Sequence, residues 1–62
     1  DVALIGDVGV VTGDLRPSGQ ARFGGEIVDV TTQEGYVPSG TRVQVVRREG
    51  LKIVVRTIPD SA

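Results

Sequence analysis

The residues that could carry chemistry in this 62-residue chain are few, and the two most versatile types are missing. The chain has no Cys, which excludes thiolate nucleophiles, disulfides and cysteine metal sites. It has no His, which excludes histidine ligands and a histidine general base. Lys52 is the only lysine, so it alone could activate Ser18 or Ser39 in a serine–lysine dyad. Serines beside proline and glycine are typical of turns, and we interpret both serines as turn residues.

The carboxylates offer a second chemistry, that of a paired acid and base. A glycosidase needs two such groups placed across a cleft. Here they are spread over different segments with nothing to mark a pair: Asp7, Asp14, Glu26, Asp29, Glu34 and Glu49. We interpret them as surface charges, with Asp29 predicted to pair with Arg22 on a neighbouring strand. The sequence therefore predicts no catalytic residue, no metal and no cofactor.

The segment 14–19, Asp-Leu-Arg-Pro-Ser-Gly, is the most distinctive one in the chain. Asp14, Pro17 and Gly19 are residue types that turns require. Arg16 is predicted to be solvent-exposed on this turn, where it could also recognise a partner.

Two further groups could contribute to binding. Tyr36 and Val37 lie in a second loop, where they either plug one end of the fold or form a small contact patch. Arg47-Arg48 is the only basic pair. A net charge of −1 and a single free aromatic residue disfavour nucleic-acid binding, which uses a positive groove with stacking aromatics. The candidate interaction surface comprises Arg16, Tyr36, Val37, Arg47 and Arg48.

The backbone that must position these residues is predicted to be all β. Val, Ile and Thr make up 21 of the 62 residues, and such side chains pack well on a pleated surface. Glycine and proline divide the chain into five predicted strands: Val8–Gly13, Gln20–Phe23, Glu26–Thr32, Thr41–Arg48 and Leu51–Ile58. Gly24-Gly25 and Glu49-Gly50 are predicted hairpin turns, and Pro59 ends the last strand.

Alternation along these strands predicts the core. The inward residues are Val11, Leu15, Ala21, Phe23, Val28, Val30, Val43, Val45, Leu51, Ile53 and Val55. Gly9 and Gly13 share the inner face of the first strand, which indicates a strong bend or the close approach of another backbone. Val46 and Val54 break the alternation and indicate a bulge or a partial cover. Turn or core roles are assigned to Asp14, Pro17, Gly19, Phe23, Gly24, Gly25, Asp29, Gly40 and Gly50.

Five short, bent strands predict a small barrel of the oligonucleotide/oligosaccharide-binding (OB) type. Only residues 33–40 join strands three and four, too few for the long helix that many OB folds carry there. A flattened lipoyl-like or SH3-like barrel is the alternative, although a lipoyl carrier lysine is missing from the predicted hairpin tip. No apolar run is long enough for a membrane helix. We interpret residues 1–62 as one domain, a fragment of a longer protein.

Several short motifs together carry a family resemblance over about residues 4–58. They are Gly6, Gly9, the run 14–19, Phe-Gly-Gly-Glu at 23–26, Val-Asp-Val at 28–30, Gly40-Thr41, Val43, Val45-Val46, Gly50-Leu51 and Val54-Val55. In these positions the chain resembles the C-terminal soluble domain of the NfeD-like family of membrane proteins. Gly13 departs from the pattern, since the family more often has a small polar residue there.

The resemblance implies a five-stranded OB-like barrel attached in the full protein to upstream transmembrane helices. Longer members carry a Clp-like serine-protease domain further upstream, and none of its catalytic residues maps onto this chain. The implied partners are stomatin-, prohibitin- or flotillin-like membrane proteins, or a second copy, with a role in membrane protease regulation or membrane quality control. The cytoplasmic side is favoured for this domain. We therefore predict a non-catalytic protein-interaction domain, with an OB-type module for nucleic acid or oligosaccharide as the alternative.

Overall fold

The computed structural model describes residues 3–59, and their regular structure is five strands without a helix. The strands are β1 (Val8–Val11), β2 (Ser18–Phe23), β3 (Glu26–Thr32), β4 (Arg42–Glu49) and β5 (Lys52–Thr57). They close into a barrel in the order β1-β2-β3-β5-β4. Strands β3 and β5 are parallel and the other neighbours antiparallel. The predicted all-β five-stranded barrel is confirmed, as is the helix-free connection between β3 and β4. The described residues include no helix that could cross a membrane.

A two-residue turn at Gly24-Gly25 sets the register between β2 and β3. The turn pairs Phe23 with Glu26, and the ladder then continues without a break along both strands. Gly24 has a φ of 62°, a conformation that glycine adopts without steric cost. The predicted hairpin is confirmed, and its register fixes which side chains of β2 and β3 are neighbours.

The turn between β4 and β5 lies one residue later than predicted. Glu49 pairs with Lys52, so the two turn residues are Gly50 and Leu51. Leu51 is consequently 100% exposed. The prediction that Leu51 faces the core is wrong, because a turn residue stands outside the alternation of the strand that follows it.

The core collects side chains from every strand, from two loops and from the segment before β1. Its buried members are Ala3, Val11, Leu15, Ala21, Phe23, Val30, Val37, Val43, Val45, Ile53 and Val55, with Val28 partly buried against them. The predicted inward residues other than Leu51 are therefore confirmed. Phe23, the one large side chain among them, is only 3% exposed.

Strand β1 passes very close to strand β2 at Gly9. A Cβ atom at Gly9 would lie 2.5 Å from the carbonyl oxygen of Arg22 and 2.7 Å from the Phe23 ring. The predicted close approach of a second backbone is confirmed there. Gly13 lies beyond the end of β1 at Val11, where a Cβ atom would meet nothing within 4 Å.

The break in alternation along β4 corresponds to a β-bulge. The register between β4 and β5 shifts between Val45 and Arg47, which leaves Val46 as the extra residue. Val46 is 38% exposed, whereas Val54 on β5 is only 1% exposed. The predicted irregularity at these two valines is thus confirmed.

Candidate functional site

The loop between β1 and β2 meets the loop between β3 and β4. The Leu15 N–H donates to the Val37 carbonyl oxygen at 2.8 Å, and the Val37 N–H donates back to the Leu15 carbonyl oxygen at 3.0 Å. Both side chains are fully buried, so this pair anchors the two loops to the core. Beside it lie the residues that we call the loop cluster: Asp14, Arg16, Tyr36 and Ser39.

Asp14 ties the two loops together through its carboxylate. The Ser39 N–H donates to Asp14 Oδ1 at 2.8 Å, across 25 residues of sequence. Arg16 Nη2 donates to Asp14 Oδ2 at 3.3 Å. The Ser39 N–H, and secondarily the Arg16 guanidinium, hold the pKa of the Asp14 carboxyl below its ordinary value. Asp14 therefore stays ionised at neutral pH and keeps the loops in a fixed relation.

Arg16 and Tyr36 form the exposed part of the loop cluster. The Arg16 Cζ atom lies 5.2 Å from the centre of the Tyr36 ring, within the range of a cation–π contact. The Arg16 side chain is 72% exposed and Tyr36 is 49% exposed. Arginine and tyrosine are enriched among the residues that dominate protein–protein binding energies. The structure thus presents both as one preorganised, solvent-facing pair.

The other residues of the predicted interaction surface lie elsewhere. Val37 is 0% exposed, so its side chain belongs to the core. The prediction that Val37 is part of the interaction surface is therefore wrong, and the residue anchors its loop instead. Arg47 and Arg48 lie on β4, where Arg47 forms an ion pair with Glu49. Among residues 3–59, neither arginine makes a hydrogen bond or ion pair to the loop cluster. The structure brings Arg16 and Tyr36 together and leaves the basic pair as a separate site.

Asp29 has a different partner from the predicted one. The register places Asp29 opposite Gln20 and Arg22 opposite Ile27. Gln20 Nε2 donates to Asp29 Oδ1 at 3.1 Å. The predicted pairing of Asp29 with Arg22 is wrong because these residues are two positions out of register.

A groove between β3 and β5 is a feature that the sequence analysis missed. Its volume is about 550 Å³, and we call it the β3–β5 groove. It is lined by Ser18, Gly19, Gln20, Asp29, Val30, Thr31, Leu51, Lys52 and Ile53. Its walls come from β2, β3 and the segment 51–53, which are distant in the sequence, so no local motif marks it. The one available signal was the turn position of Leu51, which the strand alternation obscured.

Two further carboxylates accept hydrogen bonds from backbone N–H groups. Glu34 accepts hydrogen bonds from the Thr57 N–H and hydroxyl at 3.0 Å. Asp7 accepts the Leu4 N–H, also at 3.0 Å. In the part of the chain that the structure describes, no three metal-ligating side chains gather. The arrangement therefore suits contact recognition at the loop cluster and in the β3–β5 groove.

Comparison with protein families gives a match over nearly the whole barrel. A family model described as the NfeD-like C-terminal, partner-binding domain matches residues 2–56. This range contains β1 to β4 and all but the last residue of β5.

The known proteins that resemble the chain include the following three. It is 38% identical over 55 residues to membrane protein NfeD1b of Bacillus subtilis (strain 168), covering 89% of this chain and 13% of that protein. The C-terminal domain of stomatin operon partner protein 1510-C from Pyrococcus horikoshii has a TM-score of 0.83 and 30% identity, covering 90% of this chain and 89% of that one. The soluble domain of a membrane protein implicated in regulation of membrane protease activity, from Corynebacterium glutamicum, has a TM-score of 0.76 and 28% identity. The match covers 89% of this chain and 92% of that one. The chain therefore spans a small part of the curated relative and most of each solved domain.

Proposed function

The chain belongs to the NfeD-like C-terminal, partner-binding domain family, and on this premise we propose that it is a non-catalytic adaptor domain of a membrane-anchored protein. Its partner would be a stomatin- or flotillin-type scaffold protein, and binding would contribute to the regulation of a membrane protease. The observation that carries the proposal is the family match at residues 2–56, which coincides with the barrel. The proposed partner class follows the name of the Pyrococcus horikoshii relative, a stomatin operon partner protein.

The chemistry of the exposed surface supports binding. The loop cluster holds a guanidinium and an aromatic ring in contact on a rigid pair of loops. Such preorganisation reduces the conformational entropy that binding must overcome. Membrane anchoring would come from a part of the longer protein outside this chain, as the 13% coverage of membrane protein NfeD1b suggests. We place the barrel on the cytoplasmic side.

Binding of a purified stomatin-type protein to the immobilised chain tests the proposal. We expect saturable binding, lost in a Phe23→Ala variant that disrupts the core. Because arginine and tyrosine anchors dominate interfaces, Arg16→Ala and Tyr36→Ala should each weaken binding by about tenfold. Arg56→Ala, an exposed arginine on β5, is the matched control and should leave the affinity unchanged.

Two results would overturn the proposal. If the wild-type chain shows no more binding than Phe23→Ala, the partner-binding role with this class of protein is wrong. If Arg56→Ala weakens binding as much as Arg16→Ala, the effect reflects net charge and the loop cluster is not the contact.

A titration with fluorescent single-stranded oligonucleotides tests the alternative OB-type function, and we expect no binding at about micromolar protein.

A further inference from the structure

One edge of strand β3 is paired along its length, whereas the other edge is paired over only two residues. On the β2 side the ladder covers residues 26–31 completely. On the β5 side only Thr31 and Thr32 are paired, with Val54 and Val55. Residues 26–30 therefore present an open edge beside the β3–β5 groove.

The backbone N–H and C=O groups of Ile27 and Asp29 point outward from this open edge. Alternate residues of a strand face opposite neighbours, and the Thr32 N–H donates on the β2 side, to the Pro17 carbonyl oxygen at 2.9 Å. Residues 30, 28 and 26 thus also face β2, while Ile27 and Asp29 face away from it. The ladder with β5 includes Thr31 and Thr32 and does not reach these two residues. The two sets of groups are spaced by about 6.6 Å, which is the repeat of an extended strand.

The groove beside this edge has both apolar and charged walls. Its apolar wall includes Leu51, which is fully exposed. Asp29 and Lys52 place opposite charges on the two sides of the groove. Lys52 makes no ion pair with any described residue. A complementary occupant would have an extended backbone, an aliphatic side chain and charges of opposite sign to these two.

We propose that the open edge of β3 and the β3–β5 groove bind one extended segment of the partner protein by strand addition. This inference rests on the proposed partner-binding function and adds a second contact surface to the loop cluster. The segment's backbone pairs with Ile27 and Asp29, an aliphatic side chain covers Leu51, and a carboxylate meets Lys52. Main-chain hydrogen bonds then supply affinity, and the alternate side chains supply specificity.

A second copy of this chain does not suit the site. Only two residues carry open edge groups, whereas a stable interface buries about 800 Å² on each partner. Pairing two β3 edges in the register that sets Asp29 opposite Asp29 would also bring like charges together, which is unfavourable. Charged residues on an exposed edge discourage such indiscriminate pairing. A single segment with a basic residue opposite Asp29 avoids this repulsion.

Replacing Ile27 with proline tests the edge directly. Ile27→Pro removes the outward N–H without removing a hydrogen bond to β2, and proline is tolerated at such edge positions. Ile27→Val keeps the N–H and a β-branched side chain, so it is the matched control. Against the purified stomatin-type protein, we expect Ile27→Pro to weaken binding by about tenfold and Ile27→Val by less than about twofold. In the wild-type complex, amide exchange at Ile27 and Asp29 should slow by about tenfold.

The outcomes separate this inference from the function on which it rests. If wild type does not bind the stomatin-type protein, the proposed function fails and the strand addition with it. If wild type binds and Ile27→Pro binds equally well, or exchange at Ile27 and Asp29 is unchanged, strand addition is overturned and the function stands. Should Ile27→Pro fail to fold, the exposed double variant Leu51→Ser, Lys52→Glu decides. Weaker binding by that variant supports the groove, and unchanged binding overturns it.

Discussion

Asp14 shows how one side chain can both shape a turn and position a recognition residue. Its two carboxylate oxygens have separate tasks, since Oδ1 accepts the Ser39 N–H and Oδ2 accepts Arg16. The first contact joins two loops that are distant in sequence. The second holds the guanidinium close to the Tyr36 ring. The loop cluster therefore depends on the ionised form of Asp14.

The depressed pKa of Asp14 leads to a prediction about pH. A carboxyl whose pKa is lower in the folded state stabilises the fold fully above its unfolded-state pKa, and this contribution is lost as the pH falls through the folded-state pKa. We therefore expect the Tm advantage of wild type over Asp14→Asn to be largest at neutral pH and to shrink as the pH falls below the ordinary aspartate pKa of about 3.9. Thermal melts of both chains across this range measure it.

A titration of the Asp14 carboxyl carbon by NMR identifies the cause of the pKa shift. The Ser39 N–H is the largest cause and Arg16 a smaller one. The pKa should thus remain below its ordinary value in Arg16→Ala, although less so than in wild type. A constant Tm difference at every pH, or a fully restored pKa in Arg16→Ala, would contradict this account.

At the scale of the strand, Gly9 allows β1 to cross close to β2. The carbonyl oxygen of Arg22 and the Phe23 ring occupy the space where a side chain would begin. The ring is part of the core and the oxygen is part of the backbone, so neither can move cheaply. Glycine at this position is required by the packing of the barrel, since any Cβ atom would force the strands apart.

Gly9→Ala should consequently destabilise the fold by about 1–3 kcal/mol, the usual cost of forcing an extra methyl group into a packed site. Gly13→Ala is the matched control, because an added Cβ there meets nothing within 4 Å and the backbone needs no positive φ. Its free energy of unfolding should equal that of wild type or exceed it slightly. Urea denaturation measures both, and equal losses in the two variants would refute the close approach at Gly9.

The strands could be predicted because their ends are marked by residue types with local effects. The Gly24-Gly25 turn even determines the partner of Asp29. A two-residue turn pairs Phe23 with Glu26, and counting back three positions gives Gln20 rather than Arg22. The sequence therefore held the correct register, and the predicted Arg22 pair ignored it.

Other features could not be predicted because they depend on distant segments. Alternation marked the irregularity at Val46, but it could not locate the one-residue shift that moves Leu51 into a turn. The contact between Arg16 and Tyr36 depends on how two loops fold over the core. The β3–β5 groove depends on where parallel pairing stops. Local chemistry indicated the loops, and only the assembled barrel shows what they and the groove can bind.

For the molecule as a whole, the open edge of β3 and the loop cluster rely on a core of small side chains. Most members of that core are valines. A chain of this size buries little apolar surface, so its stability is low in absolute terms. We therefore expect the rigidity of both candidate surfaces to depend on Phe23, the one aromatic side chain of that core, whose ring lies close to Gly9.

Phe23→Ala should therefore cost about 3–5 kcal/mol, a large share of the roughly 5–15 kcal/mol typical of native proteins. Because a cavity would open between β1 and β2, we expect the unfolding midpoint in urea to fall sharply and binding of the stomatin-type protein to be lost. Phe23→Leu fills part of the cavity, so it should retain more of the stability and more of the binding than Phe23→Ala does. Ile27→Ala, on the outer face, is the control for a lost apolar side chain and should lower stability by less than about 1 kcal/mol. If Phe23→Ala and Ile27→Ala had the same unfolding midpoint, the ring would not be the central contact of this barrel, and the rigidity of both surfaces would need another source.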